Sequence, residues 1–365
     1  MMVLGYPSLS LFRRRFEVSS PVYGGGAERS ARGGGGIFSI GLLVTLLLAL
    51  VSLSASAAPA PQLIPLKVAY DGYSMTTAPM NYAVQKGIFK KYGLDVSIVY
   101  VDAGTTLSQA VVGGSINIAQ NGYSPAAAAA VQGADVVFIG SISDQLPFQL
   151  VVKNTIKSAA DLKGKKIAIS RIGASTDIAA NYVLRHLGLN RTDVIILQLG
   201  GEGTRTAAMM SGQIDGSLEQ YPRTGDLEAK GFHMLVDCLE IAADYPNTSY
   251  VSTRAFIQKN PDVVKRFMMG IADGIHQFRK NKEEGIKLTA AFLKTAPGPA
   301  LDKAYDVFTK HVYPDIPRPS LKGIALVLNE MKTKVPKAGT IKPESLVYTA
   351  HLDQLEKEGF FAKLN

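Results

Sequence analysis

Short apolar runs alternate with polar turns and helix-period stretches along most of this chain. Leu66–Tyr70 is an apolar run of strand length, and it opens into the polar turn Asp71–Thr77. A helical pattern follows from about Ala78 to Lys91, closed by Gly87 and Gly93. Leu94–Val101 alternates as a strand does, and Ile116–Ala119, Val136–Ile139 and Phe148–Lys153 read as further strands. Ala126–Gln132 is a nearly pure alanine helix, suited to close packing on a sheet. A second series begins at Lys166–Ser170, with a helix over Ile178–Leu187 and a strand over Val194–Leu199. Strands that alternate with helices in this way predict an α/β architecture. From Pro261 the periodicity is helical throughout: Pro261–Asn281, Glu283–Thr295, Pro299–His311, Ser320–Thr333 and Pro343–Glu358 each carry an apolar stripe. These helices are expected to wrap the preceding α/β part, with a separate helical domain as the alternative.

Part of the pattern is written twice. Thr106–Phe138, moved forward from Thr106 to Thr204 (98 positions), falls on Thr204–Val236 without a gap. Gly114 then meets Gly212, Ile116 meets Ile214, Tyr123 meets Tyr221 and Gly133 meets Gly231. Each copy reads as helix, strand, loop, helix, strand. A unit of this size cannot bury a core alone, so two copies predict two similar lobes. The expected division is residues 66–150 plus 252–365 for lobe 1 and 153–249 for lobe 2. The two crossovers, at about Leu150–Lys153 and Ser249–Ser252, would serve as a hinge.

The first 57 residues stand apart. They hold a basic, Gly-rich front, then the uncharged run Ile37–Leu53, then small residues at Ala55-Ser56-Ala57. That order is a secretory signal peptide with cleavage expected after Ala57. The competing reading is an uncleaved membrane anchor. Either places the bulk of the chain outside the cytoplasm.

Composition narrows the chemistry. The net charge of +9 does not argue for nucleic acid, because the lysines are scattered or helical and no basic run is interleaved with aromatics. With one cysteine, Cys238, no internal disulfide forms, and that residue reads as a small core side chain. The five histidines are spread out, with no pair at metal-ligand spacing. No nucleophile-elbow, zincin or phosphate-loop motif is present. No catalytic residue, metal or cofactor is expected.

Several stretches together carry a family resemblance: Gln85–Asp95 (QKGIFKKYGLD), the pair Gly114–Ala119 (GSINIA) and Gly212–Ser217 (GQIDGS), Asp161–Ala168 (DLKGKKIA), and Asn260-Pro261-Asp262. In this order and spacing the chain, over about Leu66–Gly359, resembles the periplasmic solute-binding proteins of ABC importers. The nitrate, sulfonate and taurine binders are the group it looks most like, and they share a fold with the thiamine-pyrimidine precursor proteins. The resemblance implies a two-lobed periplasmic binding protein fold that closes on a small molecule and docks on a membrane permease, as a monomer and without catalysis. The implied ligands are a sulfonate, taurine, a pyrimidine or an aromatic-like molecule. An anchored sensor of the same fold is the alternative; a pyrimidine-precursor synthase would need a Cys-rich motif that this chain lacks.

Ligands of open α/β sheets bind beyond the carboxyl ends of the strands. The turns there nominate Tyr73, Ser74, Thr76, Thr105, Asn121, Gly122 and Tyr123 in the first lobe. In the second they nominate Arg171, Gly173, Ser175, Thr176, Glu219 and Tyr221. Tyr123 and Tyr221, equivalent in the repeat, are expected to stack on the ligand from opposite sides. Arg171 is expected to pair with an anion or with Glu219. Glu219 would oppose a sulfonate or nitrate and could accept from an amine or amidine, so the ligand is expected to be a small, partly flat organic molecule that need not be an anion.

Overall fold

The computed structural model describes residues 62–242 and 244–364, and the expected signal peptide lies outside them. Among the described residues no helix is long and apolar enough to cross a membrane.

The chain runs β1 (Ile64–Tyr70), α1 (Ala78–Gln85), β2 (Leu94–Tyr100), α2 (Gly104–Val112), β3 (Ile118–Gly122), α3 (Tyr123–Val131) and β4 (Val137–Ser143). It continues through β5 (Gln149–Lys153), β6 (Lys166–Ile169), α4 (Ser175–His186), β7 (Ile195–Gln198), α5 (Glu202–Met210), β8 (Gly216–Glu219), α6 (Arg223–Glu228), β9 (Phe232–Asp237) and β10 (Thr248–Ser252). The strands form two five-stranded sheets, in the orders β2-β1-β3-β10-β4 and β7-β6-β8-β5-β9. The two orders are the same once β1–β4 are matched to β6–β9. In each sheet the fourth strand comes from across the crossover and runs antiparallel to its neighbours, β10 in the first sheet and β5 in the second. The segments expected to be the hinge are therefore sheet interiors. The chain passes between sheets at residues 144–148 and 238–247.

The repeat seen in the sequence is a repeat of structure. The same 98-position shift carries α2 onto α5 end for end. Gly114 and Gly212 both close their helices in the left-handed region, at φ 73° and 75°, as do Gly133 and Gly231 at 98° and 89°. A side chain at any of these four positions would strain the turn.

Side-chain alternation sorts the core into layers. Val68 and Tyr70 of β1 face a cluster with the C-terminal helices, while Ala69 faces one that continues into the second sheet. Likewise Leu150 and Val152 join that shared cluster, while Val151 faces the outer layer of the second sheet with Met209 and Leu227. The C-terminal series is α7 (Arg254–Lys259), α8 (Pro261–Lys280), α9 (Lys282–Leu293), α10 (Pro299–Val307), α11 (Leu321–Lys332) and α12 (Ala350–Lys357). The expected last helix, Pro343–Glu358, is split: Pro343–Leu346 is a separate short turn before α12. Helix α8 packs on α1, where Gly274 lets it approach Ala83, and on the short helical turn Ile88–Lys91 beyond it, where Phe267 stacks on Phe89 at 5.6 Å. The wrap also reaches the second half: Gly225 of α6 closes on Ala300 of α10, and a Cβ there would stand 2.7 Å from that of Ala300.

Candidate functional site

The carboxyl ends of β1, β2 and β3 face those of β6, β7 and β8 across a polar cavity of about 80 Å³. From the first sheet come the turn Asp71–Thr76, the segment Asp102–Gly104, and Gly122. Ser74 and Thr76 share a hydroxyl hydrogen bond of 2.8 Å, and Thr77 ties the turn to the Gly72 carbonyl at 2.9 Å. Gly104 sits where an added Cβ would lie 2.6 Å from both Asp71 and Asn121, so the α2 N-terminus can approach only with glycine there. From the second sheet come Ser170, Ser175 and Thr176, Gly201, Glu202 and Arg205, and Gln220. The Thr176 hydroxyl accepts the Ser170 amide at 2.9 Å, which fixes the α4 entrance. Phe148, Asn247 and Thr248 of the crossovers complete the lining.

The two halves touch around this cavity. Arg171 pairs with Asp102 at 3.8 Å. A Cβ at Gly122 would stand 2.5 Å from Ser175 Oγ, and one at Gly201 would stand 2.7 Å from Tyr100 Oη. Farther out, Arg185 of α4 makes two hydrogen bonds of 3.1 Å to Glu330 of α11, in a fork-to-fork pair. These contacts describe a closed arrangement.

Acidic side chains outnumber basic ones in the lining. Arg205 is buried, donating to Ser217 Oγ, the Gly200 carbonyl and the Leu218 carbonyl, with Glu219 at 3.5 Å. Glu219 is fully buried and accepts from Ser217. Burial and the neighbouring Glu219 push Glu202 up to about 8, with Arg223 and Arg205 opposing. Burial likewise raises Asp71 to about 6, against the Asp71 and Gly122 amides. Tyr73 lines the cavity, backed by Tyr70, Tyr100 and Phe292 with ring centroids 4.8 to 5.5 Å away.

Of the residues nominated from the turns, Tyr73, Ser74, Thr76, Gly122, Ser175 and Thr176 line the cavity. The others lie elsewhere. Thr105 is half-buried in the first turn of α2. Asn121 is buried and structural, donating to Ser108 Oγ and accepting the Gly122 amide, both at 2.8 Å. Arg171 is exposed at the rim and bound to Asp102 rather than to Glu219. Gly173 borders a separate groove with Ile178 and Glu330. Glu219 lies behind the lining, against Arg205. Tyr123 and Tyr221 do not face each other. Tyr123 is fully buried, stacked on Phe138 at 4.8 Å with its hydroxyl on Asp144. Tyr221 is buried in the other core cluster, with Lys303 over its ring and its hydroxyl toward Met234.

Asp71, Asp102, Glu202, Arg205, Gln220 and Asn247 were not anticipated, yet the repeat held a signal for some of them. The 98-position shift pairs Ala103 with Gly201, Gly104 with Glu202 and Gly122 with Gln220, and all six line the cavity. Cys238 is fully buried, and burial pushes its thiol pKa upward, as befits a core residue.

A family model described as NMT1/THI5 like matches residues 74–285. The chain belongs to the NMT1/THI5-like family. It is 30% identical over 247 residues to the taurine-binding periplasmic protein of Escherichia coli K12, a match that spans 67% of this chain and 74% of that one. Among solved structures, it is similar to the alkanesulfonate-binding protein SsuA from Xanthomonas axonopodis pv. citri bound to MOPS. There the TM-score is 0.64 at 21% identity, over 80% of this chain and 100% of that one. The periplasmic nitrate-binding protein NrtA from Synechocystis PCC 6803 gives a TM-score of 0.68 at 13% identity, over 82% and 90%. These relatives are binding proteins by name, and the two-lobed α/β fold expected from the sequence is the fold this chain shares with them.

Proposed function

We propose that this chain is the extracytoplasmic solute-binding component of an ABC importer, capturing a small organic molecule between its two lobes and passing it to a membrane permease. One observation carries the reading: the carboxyl ends of two matching sheets close over a single polar cavity, where open α/β folds hold ligands. The taurine-binding relative supports it at family level. In this reading lobe 1 is residues 66–143 and 248–252 with the C-terminal helices, lobe 2 is residues 149–237, and the crossovers bend between them. Tyr73, Ser74, Thr76, Gly122, Ser175 and Thr176 contact the solute. Residues 1–57 direct export and are removed after Ala57, the protein acts as a monomer, and no bond of the solute changes.

Small-molecule mass spectrometry on protein purified from its own host tests this. The expected result is one intact organic solute per chain, released on denaturation. Protein that carries and binds no solute, or that converts one, contradicts it. N-terminal sequencing of the exported protein should find a start near Ala58; a retained Ile37–Leu53 segment would instead support an anchored sensor.

A further inference from the structure

We infer that the cleft is built to hold a positively charged head group, an ammonium or an amidinium, on the captured solute. The inference deepens the carrier reading and rests on it.

Two residues of the lining carry buried acceptor oxygens without partners. Gln220 is 7% exposed and Asn247 is 3% exposed; both line the cavity, and neither Gln220 Oε1 nor Asn247 Oδ1 has a hydrogen-bond partner. A buried polar atom left unpaired is unfavourable, so a pair of them in one cavity calls for a donor from a ligand. The same lining holds the carboxyl groups of Asp71, Asp102 and Glu202. Among the described residues that line it, Arg205 is the cation, and its guanidinium is committed to Ser217, Gly200, Leu218 and Glu219. Glu202 is protonated at neutral pH and Asp102 is paired with Arg171, so Asp71 is the carboxylate that a positively charged solute meets, while its N–H donors satisfy the orphaned oxygens.

The helices act in the opposite sense. The N-termini of α2, α4 and α5 open on the cavity, and helix N-termini attract anions. At α2 the chain supplies its own, and at α5 it places a carboxyl that is neutral near pH 7. Glu202 is the first residue of α5, and Asp71 Oδ2 stands at the start of α2 beside Gly104. Asp177 in the first turn of α4 accepts the Gly173 amide at 2.9 Å and is paired with Arg191, behind the cavity lining. A sulfonate or nitrate entering the cleft would meet the Asp71 carboxylate already seated at the start of α2. Tyr73 adds a ring on which a flat cation can rest.

The test is calorimetric titration of the full chain with matched pairs of opposite charge: benzamidinium against benzenesulfonate, and propylammonium against propanesulfonate. At least one cation is expected to bind about tenfold or more tightly than its sulfonate partner, since like-charge juxtaposition costs affinity. Asp71→Asn is expected to weaken that binding about tenfold without strengthening its dependence on the probe's ring. If Asp71→Asn lowers the melting temperature, Asn247→Leu, which removes one of the orphaned acceptors, gives the second reading and should also weaken the cation. A sulfonate that binds as well as its cationic counterpart, or failure of both cations to bind, overturns the head-group assignment. The carrier reading fails on a different result, host-purified protein that neither carries nor binds any solute of either charge.

Discussion

Arg205 shows how a single buried charge can organise a loop cluster. It is 4% exposed and reaches the Gly200 carbonyl just beyond β7 and the Leu218 carbonyl within β8 while pairing with Glu219, so it ties two strands together and neutralises a carboxylate. Arg205→Met would leave Glu219 buried without a cation and is expected to lose about 3–5 kcal/mol of stability. Urea denaturation of the variant checks this. Glu202 makes a prediction in pH. Its carboxyl is held protonated to about 8 by burial and by Glu219, with the charges of Arg223 and Arg205 opposing. The folded protein thus binds a proton that the unfolded chain releases near the ordinary carboxylate range. Stability from this group is full at acid pH and declines as pH rises from that range through about 8. Melting temperatures of Glu202→Gln against the parent across this window should show the decline flattened in the variant. Little of this was legible beforehand. The turns that deliver Tyr73, Ser74, Thr76, Ser175 and Thr176 could be read from small polar residues after apolar runs. The direction of a side chain within a turn could not, and Tyr123 and Tyr221 turn into separate cores one position past the residues that line the cavity.

At the level of elements, the repeat was the most legible feature. Its glycines are the left-handed helix ends themselves, so backbone geometry forces their recurrence in the sequence. The exchange of β5 and β10 between the sheets was harder to read. Both strands pair antiparallel with partners distant in sequence, and no local pattern encodes which sheet an apolar strand will join. Gly201 connects the elements to their motion. It caps α5 with an ordinary extended backbone, yet a Cβ there would stand 2.7 Å from Tyr100 Oη of the other half. Gly201→Ala should therefore burden only the closed arrangement. Solute binding is expected to weaken about tenfold, because the variant favours the open state by roughly 1–2 kcal/mol, while the melting temperature without solute stays nearly unchanged. Equal losses in both measurements would show instead that Gly201 supports the fold of its own lobe.

For the whole molecule, the identity of the two sheet orders means that one supersecondary plan is used twice, and the strand exchange ties the copies together by two crossovers. Such paired connections permit hinge closure without separation of the halves. The pairs Arg171–Asp102 and Arg185–Glu330 then hold the closed arrangement at the rim and at the outer helices. The central claim is that solute capture and closure are one event. Small-angle X-ray scattering tests it most directly, on protein stripped of solute by unfolding and refolding and then on the same protein with the host solute restored. The account predicts a smaller radius of gyration with solute, saturating at one solute per chain. An unchanged scattering profile at saturating solute, with binding confirmed by calorimetry, would contradict it.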